Sequence, residues 1–382
     1  MKLQFKYILP LLSLFLVSCT KTKVGVGEHS EKIIFTATNH HPSVVDTRAA
    51  GNHQNLPGAY LFDNPAKFQS KSGRGGYFNV MAYKSGTDFE HFVYPAPVIY
   101  YDQAPDPNDY AWYIYNPSLN AGKGDFEDRY WPVTFNLDFL AYMPLLRPQD
   151  GTTSSTLEID PSSHITSVGY LDAPVFHCTG LPLDADGQST ATEFMYAWIT
   201  DQSQTSTRDG KVPLQFKHPM SAVIIEISGA HGGTEINSLG FKNIYNNGTF
   251  NVADGQWTMS GAKGSLIIDE LDQIYGQDIQ KGKTYGPYLV LPQDFRPAGN
   301  DAPENDILFT IDFTWDVNTI VDRPLFKDAE AGNAPPVNKW EPGKIYTYSV
   351  TLGDGAEDIK LNISVESWDD VGEGFRDEIE VQ

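Results

Sequence analysis

Cysteine is nearly absent, with two in 382 residues. Two thiols exclude a disulfide-dense scaffold and a four-cysteine zinc site. Basic residues are scarce as well, 27 against 49 acids, for a formal charge of −22. A surface of that sign repels phosphate backbones, so nucleic acid is excluded as a general partner. No apolar run reaches the roughly 20 residues that a membrane-spanning helix needs. The familiar catalytic signatures are missing too: no GxSxG elbow, no HExxH, no CxxC and no Walker-type phosphate loop. Nothing in the chain calls for a cofactor, and no enzyme activity is expected.

What is present is an ordinary globular composition, 40% hydrophobic and 13% aromatic, which takes the chain out of the disordered class. Its start has a separate character. Lys2 and Lys6 precede an apolar stretch, Tyr7–Val17, that ends in Leu16-Val17-Ser18-Cys19. A positive end, a short apolar run and a small residue before cysteine make a secretory signal of the lipoprotein kind. The Cys19 sulfur is the expected site of lipidation, with cleavage before it and acylation of the new amine. Two or three chains, at about 0.8 kcal/mol per buried CH₂, hold such a protein on a membrane. Residues 1–18 are thus read as signal peptide and 19–30, polar and glycine-containing, as a tether. Cys178 remains as one thiol, read as a small buried hydrophobe.

Beyond the tether the dominant period is two. Val133, Phe135, Leu137 and Phe139 alternate with polar neighbours, as do Ile307, Phe309, Ile311 and Phe313, and Ile359, Leu361, Ile363 and Val365. Each run buries one face of a strand. Further strands are expected at Ile33–Thr38, Tyr77–Tyr83, Trp112–Tyr115, Leu214–Lys217, Ala222–Ser228, Ser265–Asp269, Tyr288–Leu291 and Ile345–Leu352. Turn clusters separate them, among them Asn246-Asn247-Gly248. Thr192–Thr200 is read as a short helix. The fold class is all-β. The polar stretch Gln202–Lys211 divides the chain into a domain at 31–205 and a second at 206–382.

Other constellations have plain readings beside sharper ones. His40, His41 and His53 lie close in sequence but lack a further ligand at a diagnostic spacing, so a solvated loop is expected. Asp184-Ala185-Asp186-Gly187 is a fragment of a calcium loop without its distant glutamate, and reads as a turn. Tyr100, Tyr101, Tyr110, Trp112, Tyr113 and Tyr115 make either a sugar-stacking platform or strands with aromatics in the core. His218 reads as a structural histidine, and Trp340 and Trp368 as core plugs. Trp340-Glu341-Pro342-Gly343 reads as a turn into a strand.

Four stretches together resemble the fimbrillin superfamily of Bacteroidetes. They are the lipobox with Ile33-Ile34-Phe35-Thr36-Ala37 and Thr47-Arg48-Ala49; Glu193-Phe194-Met195-Tyr196-Ala197; Leu214 through Val223; and Trp340 through Tyr348, closing with Ile363-Ser364-Val365 and Trp368. The resemblance implies two transthyretin-like β-sandwich domains in tandem and a lipid anchor in the outer membrane. It also implies assembly with other fimbrial subunits into surface fimbriae that support adhesion to a host or bacterial glycan or protein. In that family a protease cuts after an arginine near the N-terminus, the first strand leaves, and a neighbour's C-terminal strand replaces it. Carried onto this chain, the cut falls between Arg48 and Ala49, and the departing strand is Ile33–Thr38. The replacing strand is the alternating tail that carries Phe375, Ile379 and Val381. Only 14 residues follow Trp368, which points to a tip, accessory or anchor subunit rather than a stalk repeat. The alternative is an outer-membrane glycan-binding lipoprotein using the aromatic cluster.

Overall fold

A computed structural model describes residues 31–39, 78–101, 111–116, 119, 125–143, 165–169, 174–184, 194–207, 210–229, 234–269, 282–297, 299, 302–314, 317–329, 336–353, 359–367 and 377–379. The described residues are strands and their connections, in three sheets, so the fold is all-β.

The first sheet contains β1 (Ile34–Asn39), β2 (Phe78–Lys84), β3 (His91–Tyr101), β4 (Ala111–Asn116), β5 (Asp125–Phe126), β6 (Leu137–Met143), β9 (Met195–Gln202) and β10 (Lys211–Phe216). Its order is β10-β1-β4-β3-β2-β6-β9, with β5 on β4. The two ends of this path meet again. Tyr196 N–H donates to the Lys217 carbonyl at 3.1 Å, and Lys217 N–H donates to Tyr196 at 2.7 Å. The sheet therefore curls round and closes on a core that includes Phe35, Phe78, Trp112, Phe139 and Phe216. Curling removes exposed edges, which is how β-structures avoid pairing with strangers.

The second sheet runs β14 (Lys283–Val290), β11 (Ser221–Ser228), β17 (Lys344–Leu352), β18 (Ile359–Ser367), β19 (Asp377–Ile379). The third runs β16 (Asn318–Pro324), β15 (Leu308–Thr314), β12 (Glu235–Asn251), β8 (Val175–Cys178), β7 (Ile165–Gly169), with β13 (Gln256–Ile268) also on β12. The facing residues of these two sheets make a second core around Phe241, Phe309, Trp340 and Tyr348. A third core joins the outside of the first sheet to the other two. It takes in Tyr83, Leu140, Tyr142, Phe176, Tyr196, Met220, Phe250 and Ile345.

This layering explains the sequence of β2. Phe78, Val80 and Ala82 face the first core while Met81 and Tyr83 face the third. A strand covered on both sides has no reason to alternate. The same holds for β9, where Met195 and Ala197 point into one core and Tyr196 into the other. Thr192–Thr200 is thus not a helix: residues 195–202 are a strand. Two apolar faces gave it a continuous apolar run, which periodicity alone does not assign.

Two further expectations change. Val133 is 72% exposed, and the strand of that run begins only at Leu137, because the chain bends at residues 133–135. Asn246-Asn247-Gly248 is no turn; it lies inside the 17-residue β12. The asparagine side chains are satisfied by a neighbouring loop, Asn246 Nδ2 donating to the Leu181 carbonyl at 3.1 Å and Asn247 Oδ1 accepting from Gly180 N–H at 2.8 Å. The turn comes later, at residues 252–255. Trp340 is a core residue at 1% exposure, its indole N–H donating to the Tyr348 hydroxyl at 2.8 Å. His218 is buried too.

Candidate functional site

The site of interest is the seat of β1. Its residues Ile34, Thr36 and Thr38 are β-branched, and the aromatic Phe35 lies between them, a composition that favours a pleated, buried strand. Six register pairs, Ile34 with Lys211 through Asn39 with Phe216, run parallel to β10. On its other side β1 meets β4 antiparallel at one register pair, Phe35 with Trp112. Phe35 is fully buried, edge-on to Phe139 at 5.7 Å and to Phe78 at 6.5 Å.

A clasp holds the strand's leading end. Ile33 N–H donates to the Arg129 carbonyl at 2.7 Å, and Trp131 N–H donates to the Glu31 carbonyl at 3.2 Å. Outside this two-bond ladder, Lys32 Nζ lies 2.8 Å from Asp128 Oδ1, both side chains about half exposed. The hydrogen bond that the Lys32 ammonium donates to Asp128 raises the Lys32 pKa above its ordinary value. Inside it, Ile33 and Trp131 are buried in the first core, Trp131 edge-on to Phe139 at 5.8 Å. The Trp131 indole N–H has no hydrogen-bond partner among the described residues, a penalty of about 1–3 kcal/mol. Gly210, just before β10, has φ +69°, and a Cβ there would stand 2.8 Å from Glu31 Oε2. Glycine allows both the turn and the close approach.

Geometry decides what this seat can do. β1 is the first described strand, it lies between β10 and β4 in the sheet, and its removal would open paired edges on both. It would also uncover Phe78, Trp112, Phe139 and Phe216, all of which share its core. An extended segment of matching pattern would restore both ladder and core. The clasp residues Asp128, Arg129 and Trp131 were not legible as functional. Their one signal is an aromatic placed just before Pro132, where a strand cannot continue.

Of the other expected site residues, Cys19, Arg48, Ala49, Phe375 and Val381 lie outside the described residues, as do His40, His41, His53 and Trp368. Ile379 belongs to β19, which pairs antiparallel with β18: Ile363 with Ile379, Ser364 with Glu378, Val365 with Asp377. The tail backbone therefore rests on the edge of its own second sheet. Asp184 makes a parallel bridge to Ile267. Of the aromatic cluster, Trp112 takes the core reading, 5% exposed and 4.9 Å from Phe78, while Tyr113 and Tyr115 are half-buried and the side chains of Tyr100, Tyr101 and Tyr110 lie outside the described residues. A ring in the core is not available to a sugar.

Three comparisons bear on identity. A search of curated proteins finds no match. Among solved structures, a fimbrial protein from Bacteroides vulgatus shares 15% identity, covering 79% of this chain and 95% of that one at a TM-score of 0.49. The tip fimbrial protein Mfa3 from Porphyromonas gingivalis, with a C-terminal truncation, shares 10% identity, covering 77% of this chain and 94% of that one at a TM-score of 0.39. The family model described as fimbrillin-like matches residues 61–368, from the segment before β2 to just past β18. That span takes in strands of all three sheets, with β1 and β19 outside it, and the chain belongs to the fimbrillin-like family.

Proposed function

We propose that the protein is a fimbrial subunit precursor, assembled by proteolysis-triggered strand exchange and serving structure and adhesion without catalysis. Cys19 carries the lipid anchor to the outer membrane. A cut between Arg48 and Ala49 frees β1, and the tail of a neighbouring subunit, through Phe375, Ile379 and Val381, fills the vacated seat. The chain forms two transthyretin-like sandwich bodies whose strands cross the Gln202–Lys211 line, β7 and β8 joining the third sheet and β10 the first. The observation that carries the reading is the seat of β1: the first described strand, paired between β4 and β10 with Phe35 buried, whose departure opens a groove lined by aromatics. Family membership adds to it.

An arginine-specific protease applied to the purified protein tests it. The cleaved protein is expected to lose β1 and form oligomers, or to take up a peptide of sequence Phe375–Gln382. Arg48→Ala is expected to stay intact and monomeric. Cleavage at Arg48 with β1 retained and no donor accepted, even with fimbrial partners supplied, would show that the role is wrong. For the anchor, Cys19→Ala is expected to abolish fatty-acid labelling and membrane retention.

A further inference from the structure

A groove of about 500 Å³ lies on the far half of the molecule, between the β12–β13 hairpin and the loop that leads into β17. Its volume falls in the range of small-ligand sites, about 300–1,000 Å³. We infer that this groove, walled by Tyr245 and Trp257 and rimmed by Asp294 and Glu341, is a binding site for a short neutral oligosaccharide.

The walls are aromatic and fixed. Trp257 and Met259 alternate on β13 and reach the groove; Tyr245 faces Lys263 across the ladder. Both residues are half-buried. The Trp257 indole N–H donates to the Pro219 carbonyl at 2.6 Å, and the ring leans on Phe250 at 5.3 Å between centroids. Across the ladder a Cβ at Gly248 would sit 3.2 Å from Trp257 Cε3, so the absence of a side chain makes room for the ring. Lys263 Nζ stands 5.3 Å from the Tyr245 ring and donates to the Asn305 carbonyl at 2.7 Å. Gln293 is locked from three directions, accepting from Tyr245 N–H and donating to the Tyr245 and Leu291 carbonyls. Little freedom is left to lose on binding.

The rim sets the ligand class. Lys339 and Glu341 form an ion pair at 2.8 Å, so their charges largely cancel. Asp294 is exposed beside them. Lysines and carboxylates are nearly balanced along the lining, although the whole chain carries −22. A site for a polyanion needs a large excess of cationic groups, and a site for a cation needs an excess of acids; with three lysines, Lys263, Lys339 and Lys344, against Asp294 and Glu341, this groove has neither. A sugar presents C–H faces to aromatic rings and hydroxyls to carboxylates, amides and ammonium groups, and needs no net charge. The mixture of ring surface with donors and acceptors matches that pattern. The site is independent of the seat of β1, so subunits that fail to exchange strands would still bind.

The test is saturation-transfer NMR on the full mature protein with four neutral disaccharides: lactose, maltose, cellobiose and N-acetyllactosamine. Transfer to at least one is expected. Trp257→Ala should weaken that binding by about tenfold, the scale of one lost aromatic contact. Because Trp257 also packs on the interior, Asp294→Ala is the second variant; it sits at the exposed rim and should weaken binding while leaving the thermal midpoint unchanged. The inference fails if no sugar of the four binds, if neither variant changes the binding, or if only a sulfated polysaccharide included for comparison is retained.

Discussion

At the scale of single residues, protonation decides behaviour in alkali. Burial pushes the Cys178 thiol from 9.0 up to about 12 and the Tyr196 phenol from 10.0 up to about 12, and raises Tyr83, Tyr346 and Tyr348 further. These groups stay neutral in the folded chain after their counterparts in the unfolded chain have lost protons. A raised acid pKa stabilises the fold below the unfolded value and loses that contribution as pH climbs through the folded one. The urea midpoint is therefore expected to hold steady up to about pH 9 and fall progressively towards about pH 12. A midpoint that rises in this window would contradict the burial of these groups. The same burial predicts that Cys178 ignores thiol reagents near neutral pH and reacts only once the protein is unfolded.

A second residue-scale expectation concerns Arg296. Its Nε and Nη2 reach the two oxygens of buried Asp306 at 2.8 and 2.7 Å, and its guanidinium lies 3.8 Å from the Phe326 ring centre. Asp306→Ala should cost about 3 kcal/mol in denaturant unfolding, since it takes from a partly buried cation its bidentate carboxylate. An effect within the noise would mean that Arg296 finds water instead. Single residues were unevenly legible in the sequence. Trp340 was readable as a core plug because a turn signal, Pro342-Gly343, follows it directly. Trp112 was ambiguous, because an aromatic on a strand has the same letter whether it faces the core or water. Asp306 and Arg296 carried no sequence signal, as their pairing depends on where two loops happen to meet.

At the scale of elements, β1 combines one fully buried ring, Phe35, with an uneven ladder. It has six register pairs to β10, one to β4, and a clasp of two backbone bonds at its leading end. Removing the Phe35 ring should therefore release the strand. Phe35→Ala is expected to cost about 3–5 kcal/mol and to speed hydrogen exchange at residues 33–37 more than in β17, which lies in another sheet. Uniform acceleration across both would mean that β1 does not open on its own. Period two located most strands within a few residues, because one-sided burial writes itself into alternation: β15 and β18 are examples. It failed where both faces are covered, as in β9. It failed again where polar side chains find partners inside a sheet, as Asn246 and Asn247 do in β12. The seat of β1 was legible only through the family resemblance. The partners of β1, 77 residues on at Phe35–Trp112 and 177 residues on at Ile34–Lys211, are a property of topology, which local spacing does not record.

At the scale of the whole molecule, the connections tie the halves of the chain together. The loop after β9 folds on itself, with Ser203 bonded to Ser206 and Thr207. Its polar composition made it a natural dividing line. The strands do not respect that line: β7 and β8 precede the loop yet join the third sheet beside β12, and β10 follows it yet joins the first sheet beside β1. The apolar cluster of Tyr142, Phe176, Tyr196, Phe250 and Ile345 adds buried surface between the same sheets. Separating two fragments cut at this loop would mean stripping β8 from four register pairs with β12 and β10 from six with β1, and exposing those rings to water at roughly 25 cal/mol per Å². Local nicking costs none of this. A protease that cuts between Ser203 and Gly210 is therefore expected to give two bands on a denaturing gel but a single peak of unchanged size under native conditions. The bands should part only in denaturant, with one cooperative transition shared by both. Two separately eluting folded fragments would show that the shared strands contribute little, and that each half holds its core without the other.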